Sequence, residues 1–176
     1  MLSDPRSGSL KGDNMIKYGK ILKMHEKDNP SPFCRASYLI SNMGDMIKCY
    51  GRMLRFPDDA HIYQKEMELA MGDVIMQCRL IQVENNIEEF DPQQEIRILS
   101  DPPIEYFITK TLQCGTDVMI ELKLDNKNQL KENIRDTLTG IYIICNALEI
   151  DFNEIQHLGF IHTIERFEEF ERRGWQ

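Results

Sequence analysis

The chain is predicted to be all-α, an antiparallel bundle of long helices joined by short turns. Three observations predict it. Apolar residues recur at helical spacing through most of the 176 residues, no segment alternates with the period-two pattern of a half-buried strand, and glycine is sparse at 10 residues. Hydrophobic residues make up 41% and charged residues 28%, the balance of a globular domain with an ordinary core.

Taken in order, residues 1–14 are polar and rich in Ser, Gly, Asp and Lys, and are expected to be a flexible segment. They hold no apolar central stretch, so no secretory leader is expected, and Met15 is a candidate native start. Residues 15–176 are expected to form one domain. Met15 to Lys27 suits a short amphipathic helix with Ile16, Ile21, Leu22 and Met24 inward, stopped by Asp28-Asn29-Pro30-Ser31-Pro32. Phe33 to Leu54 follows, with Phe33, Ala36, Leu39, Ile40, Met43, Ile47, Tyr50 and Leu54 on one face. Phe56-Pro57-Asp58-Asp59 breaks it and opens the helix Ala60 to Val83, whose inner face holds Ile62, Met67, Ala70, Val74, Cys78 and Ile81.

Glu84-Asn85-Asn86 reads as a helix end, and Ile87 to Leu99 as a short helical piece interrupted at Asp91-Pro92. Ser100-Asp101-Pro102-Pro103 is the clearest boundary in the chain. Beyond it lie helices over Ile104 to Leu124 and Gln129 to Leu148, separated by a turn at Asp125 to Asn128. In the first of these Phe107, Ile108, Leu112, Val118, Met119 and Leu122 are core candidates. Asp151 is expected to cap a last helix from Phe152 to Arg173, with a stripe of Ile155, Leu158, Ile161, Ile164, Phe167 and Phe170.

The pattern repeats. Placing Asp73 on Asp136, a shift of 63, aligns Ile75 with Leu138, Cys78 with Ile141, Ile81 with Ile144 and Ile87 with Ile150. Placing Asp45 on Asp117, a shift of 72, aligns Met43 with Gly115 and Ile47 with Met119. The difference fits an insertion in the loop near Phe56 to His61. Each half, about 33–99 and 104–175, reads helix, aspartate, turn, helix, aspartate, which suggests an internal duplication folded as a pseudo-dimer.

Composition bounds the function. The net charge is −8, and the one dense basic pair, Arg172-Arg173, sits among Glu168, Glu169 and Glu171, so no nucleic-acid surface is expected. No apolar run is long enough to span a membrane. The five cysteines include no Cys-x-x-Cys pair and sit mostly in apolar helical stretches, as free thiols do in a reducing cytoplasm. His157 and His162, five residues apart, do not share a helix face well and are read as surface or core-edge residues. The methionines at 43, 46, 53, 67, 71 and 76 are read as core filler.

An aspartate within an apolar-striped helix costs too much to bury alone, so it faces solvent, pairs with a base or binds a metal. Carboxylates on paired helices converge oxygens that suit magnesium. Here the residues resemble a family. Ala147-Leu148-Glu149-Ile150-Asp151 is similar to Ala-Leu-Gly-Ile-Asp, Met71-Gly72-Asp73-Val74-Ile75 to Leu-Gly-Asp-Val-Leu, and Met43-Gly44-Asp45 to Val-Gly-Glu. Those motifs, with a trailing helix ending Glu171 to Trp175, resemble the MazG-type all-α nucleoside triphosphate pyrophosphohydrolases, which include the dimeric dUTPases. The resemblance implies hydrolysis of a nucleoside triphosphate to monophosphate and pyrophosphate, a magnesium cofactor and assembly as oligomers.

The family's Glu-Glu-x-x-Glu positions fall on Ser41, Asn42 and Asp45, and on Gln113, Cys114 and Asp117. Its Glu-x-x-Asp positions fall on Ala70 and Asp73, and on Asn133 and Asp136. The resemblance therefore implies metal binding by Asp45, Asp73, Asp117 and Asp136 converging across the pseudo-dyad, with Ser41, Asn42, Gln113 and Asn133 contacting ligand. The alternative is a degenerate member that binds a nucleotide or protein without catalysis, its aspartates paired with Lys, Arg or water.

Overall fold

The computed structural model describes residues 18, 19, 21, 32–95 and 103–173, with the side chains of 32, 33, 95, 170 and 171 outside the description. The expectations for residues 1–17, the stop at 28–31, the boundary at 100–102, Phe33 and Phe170 as core, and the motif ending at Trp175 lie outside these residues. Among the described residues the structure is helical, with no strand. The helices are α1 (Pro32–Arg55), α2 (Ala60–Glu84), the single turn α3 (Pro92–Glu95), α4 (Ile104–Leu124), α5 (Lys127–Ala147) and α6 (Phe152–Arg173). A 3-10 turn at Pro57–Asp59 joins α1 to α2. No helix is long and apolar enough to cross a membrane among these residues.

α1 and α2 form one hairpin and α4 and α5 a second; the hairpins pack side by side, chiefly α1 on α4. Met43 sits on Gly115 while Tyr50 donates its hydroxyl hydrogen to Glu105 at 2.9 Å, so α1 and α4 run antiparallel. The main core lies between the four helices, from Leu39, Met43 and Met46 to Ile134, Leu138, Ile141 and Ile144, and takes in Phe152 and Ile155. α6 lies outside this bundle against α2. There Phe167 joins Met76, Leu80, Tyr18 and Ile21 in a second apolar cluster.

Local sequence features decide where helices start and end. Asn126 accepts a hydrogen bond from the Gln129 backbone N–H, and Asp151 accepts from Asn153 N at 2.7 Å and Glu154 N at 3.3 Å, so both cap the helices that follow. α2 and α5 stop in the same way, 63 residues apart. Ile87 N–H reaches the Gln82 carbonyl and Ile150 N–H the Cys145 carbonyl, each at 2.8 Å, while Asn86 and Glu149 take the left-handed conformation at φ 50° and 57°. This is a Schellman ending, and its left-handed position is one that glycine fills without strain. Asp58 and Asp59 make the expected turn, though neither side chain caps α2.

The periodicity misjudges two faces. Ile62 and Leu54, expected inside, are 48% and 63% exposed because both flank the turn at the tip of the α1–α2 hairpin, beyond the main core. On α6 Leu158 and Ile161 face out, at 37% and 39% exposure, whereas Gly159 and Thr163 face in. The reason is steric. A Cβ on Gly72 of α2 would lie 2.7 Å from the Ile155 carbonyl oxygen and 2.8 Å from Gly159 N, so the two backbones touch and only glycine fits. That crossing, not the apolar stripe, rotates α6. Ile87–Asp91 is not helical, and helix resumes only at Pro92.

Two substitutions test these constraints. Glu149→Gly removes a left-handed non-glycine residue and is expected to raise stability by about 1 kcal/mol. Gly159→Ala is expected to lower it by about 2 kcal/mol through overpacking at the α2–α6 crossing. Urea unfolding midpoints measure both.

Candidate functional site

α2 is buried at every position from Ala70 to Gln82. Three polar side chains in that stretch, Asp73, Arg79 and Gln82, are satisfied by groups from outside the helix. Asp73 is met by α6: its two carboxylate oxygens lie 2.9 Å and 3.2 Å from His162 Nδ1, and Arg166 Nη1 lies 4.0 Å away. The side chains of Asp73 and His162 are 10% and 29% exposed. The pair forms because the Gly72–Gly159 contact brings the helices close, and because Gly159 and His162 are three apart on α6, on neighbouring faces.

Arg79 is the second polar centre. It donates to the Phe90 carbonyl at 2.7 Å, to Gln82 Oε1 at 3.0 Å and to Gln156 Oε1 at 3.1 Å, and its Nε lies 3.8 Å from Glu89. It thereby ties the 87–91 segment and α6 to α2. Gln82 in turn donates to the Glu88 carbonyl at 3.0 Å. A second buried base, Arg35, pairs with Glu84. Burial raises the Glu84 carboxyl pKa, and Arg35 opposes the shift.

The four aspartates singled out by the sequence occupy different surroundings. Asp45 is exposed on α1 and lies 3.4 Å from Lys48 Nζ. Asp73 faces His162. Asp117 is half-buried on α4 and Asp136 exposed on α5. These last two flank one group: the Cys114 thiol pKa is raised by burial, with Asp136 and Asp117 adding and Lys110 opposing. So both aspartates of the second hairpin act electrostatically on Cys114, while in the first hairpin Asp73 turns to α6. No group of three or more His, Cys, Asp or Glu side chains among the described residues is arranged to hold a metal ion.

Of the polar positions, Ser41 and Gln113 are exposed and Asn42 half-buried. Asn133 is buried and accepts from Gln129 Nε2 at 3.1 Å, an exchange within its own helix. A magnesium ion keeps several waters and needs few carboxylates. Asp117 and Asp136, with Gln113 on the same turn as Asp117, are the residues whose chemistry fits that demand best.

Sequence reasoning missed Arg79, Arg35 and the partner of Asp73. One signal was present. A glycine precedes Asp73 directly and precedes His162 by three, and paired glycines on two apolar helices mark a close crossing that brings nearby polar groups together.

The thiols give a pH prediction. Burial pushes Cys78 and Cys145 up to about 12, with Glu68 and Asp151 adding at Cys145. Both should resist a disulfide reagent at pH 8.5 in the folded protein and react at once in denaturant, with exposed Cys34 reacting first. Because the folded thiols hold their protons beyond the ordinary value of 9.0, their contribution to stability is complete below pH 9. It is lost as pH rises from 9 toward 12, which alkaline urea titration measures.

Compared with family models, curated proteins and solved structures, the chain matches none.

Proposed function

We propose that the chain is a duplicated helical hairpin of the MazG type that serves as a non-catalytic binding module for a nucleotide or a protein partner. Two features support the duplication. The Schellman endings at Asn86-Ile87 and Glu149-Ile150 recur at the shift of 63 that aligns α2 with α5. Met43 packs on Gly115, its own counterpart at the shift of 72, as residues on a two-fold axis do.

The observation that carries the functional reading is Asp73. The carboxylate that the resemblance assigns to metal is engaged by His162 at 2.9 Å and flanked by Arg166. Asp45, its partner in the first half, lies beside Lys48. Carboxylates spent on bases within the fold offer little to a divalent cation. The surface meanwhile exposes large apolar side chains on neighbouring helices, including Tyr38 on α1 and Ile120 on α4 at 51% and 47%. They stand five residues either side of the Met43–Gly115 contact, at one level of the antiparallel pair.

The second reading, a magnesium-dependent pyrophosphohydrolase, draws on the second hairpin, where Asp117 and Asp136 both act on Cys114. Asp117 and Asp136 would hold the ion, which would supply positive charge to offset that of a triphosphate.

Incubation with the common NTPs and dNTPs plus magnesium or manganese separates the two. The proposal expects pyrophosphate release no higher than that of a variant with Asp45, Asp73, Asp117 and Asp136 all changed to Asn. Turnover that Asp117→Asn abolishes would instead establish the hydrolase. A thermal shift by nucleotide without metal identifies a nucleotide as the ligand, and no shift points to a protein.

A further inference from the structure

We propose that His162 Nε2 is a phosphoryl-accepting site. Its Nδ1 lies within hydrogen-bonding distance of both oxygens of Asp73, and a carboxylate accepts only, so the proton sits on Nδ1. The lone pair is thereby left on Nε2. No hydrogen bond to Nε2 is found among the described residues, and the side chain is 29% exposed beside a carboxylate only 10% exposed. The arrangement is that of an activated nucleophile: a carboxylate fixes the tautomer, aims the ring and neutralises the cation formed on attack. It is held rigidly, since the Gly72–Gly159 contact sets the distance between α2 and α6.

The class of electrophile follows from Arg166. It lies one turn beyond His162 on the same helix face, is 46% exposed, and has Nη1 4.0 Å from Asp73 Oδ2. A guanidinium carries donors beyond that one contact, and its fork geometry suits the oxygens of a tetrahedral oxyanion. A single imidazole with no third His, Cys, Asp or Glu partner does not make a metal centre. Exposed Glu165, next to Arg166, is the nearby acid on α6 that opposes an incoming anion.

The donor is an acyl phosphate or a phosphoramidate. The Nε2 lone pair attacks phosphorus and forms the N–P bond as the bond from phosphorus to the leaving group breaks. With phosphoramidate, whose nitrogen is already protonated, ammonia leaves and no further proton is needed. The Nδ1 proton stays in place, and Asp73 faces the resulting phospho-imidazolium.

The test treats the full chain with phosphoramidate at pH 8 and follows acid-labile phosphate by phosphorus NMR and by mass spectrometry of peptides. His25, His61 and His157 serve as controls within the same molecule. His162 should be modified at least about tenfold faster than any of them, and Asp73→Asn should remove about that factor. Glu165→Gln should raise the rate about threefold by lifting an exposed repulsion. His162→Gln should abolish the fast phase. Circular dichroism confirms that Asp73→Asn is folded; if it is not, Arg166→Gln, expected to slow the reaction, takes its place. Equal labelling of the four histidines, or a fast phase that survives His162→Gln, overturns the proposal.

Discussion

Everything outside the four-helix bundle is arranged around the burial of the later half of α2, from Ala70 to Gln82. A helix enclosed on all sides from Ala70 to Gln82 cannot leave its polar side chains to water, and three of them are satisfied by specific partners. Arg79 holds down the 87–91 segment and α6 together, and Asp73 pairs with His162 where the Gly72–Gly159 crossing has set the rotation of α6. Removing either partner would leave a buried charge uncompensated, a cost of about 3–5 kcal/mol for groups this enclosed. The polar contacts therefore specify how α6 docks, while the apolar contacts supply most of the stability. Gln77 Oε1 is a buried acceptor with no partner, and we have no physical account of it.

The bundle itself was legible because amphipathic spacing and breakers are local signals. The limits of α4 and α6 coincide with the expected ones, as does the capping role of Asp151, since each depends on a few adjacent residues. The methionines at 43, 46, 67, 71 and 76 are core, as their setting implied. What the sequence did not reveal is tertiary. Nothing near Leu158 indicates that Gly159 will face inward; that depends on Gly72, 87 residues earlier. Likewise Arg79 looks like one charge on an apolar helix until Phe90 and Gln156 are seen around it.

The candidate site shows the same division. The sequence identified the aspartates as anomalous for their surroundings, a judgement of chemistry that holds for Asp73. It could not say which neighbour would answer the charge, because His162 and Arg166 come from a helix outside the two hairpins. The two aspartates thus differ in setting: on α2 the covering helix α6 takes up Asp73, while Asp136 on α5 is open to solvent.

The contact of Met43 with Gly115 has a consequence for assembly. One hairpin carries a long flexible knob and the other the matching gap. Two copies of the first hairpin brought face to face would set knob against knob, and two copies of the second would enclose a void. Each hairpin is thus a poor partner for itself and a good one for the other, a preference that steers separate halves toward mixed pairs and gives the covalent link between them a structural purpose.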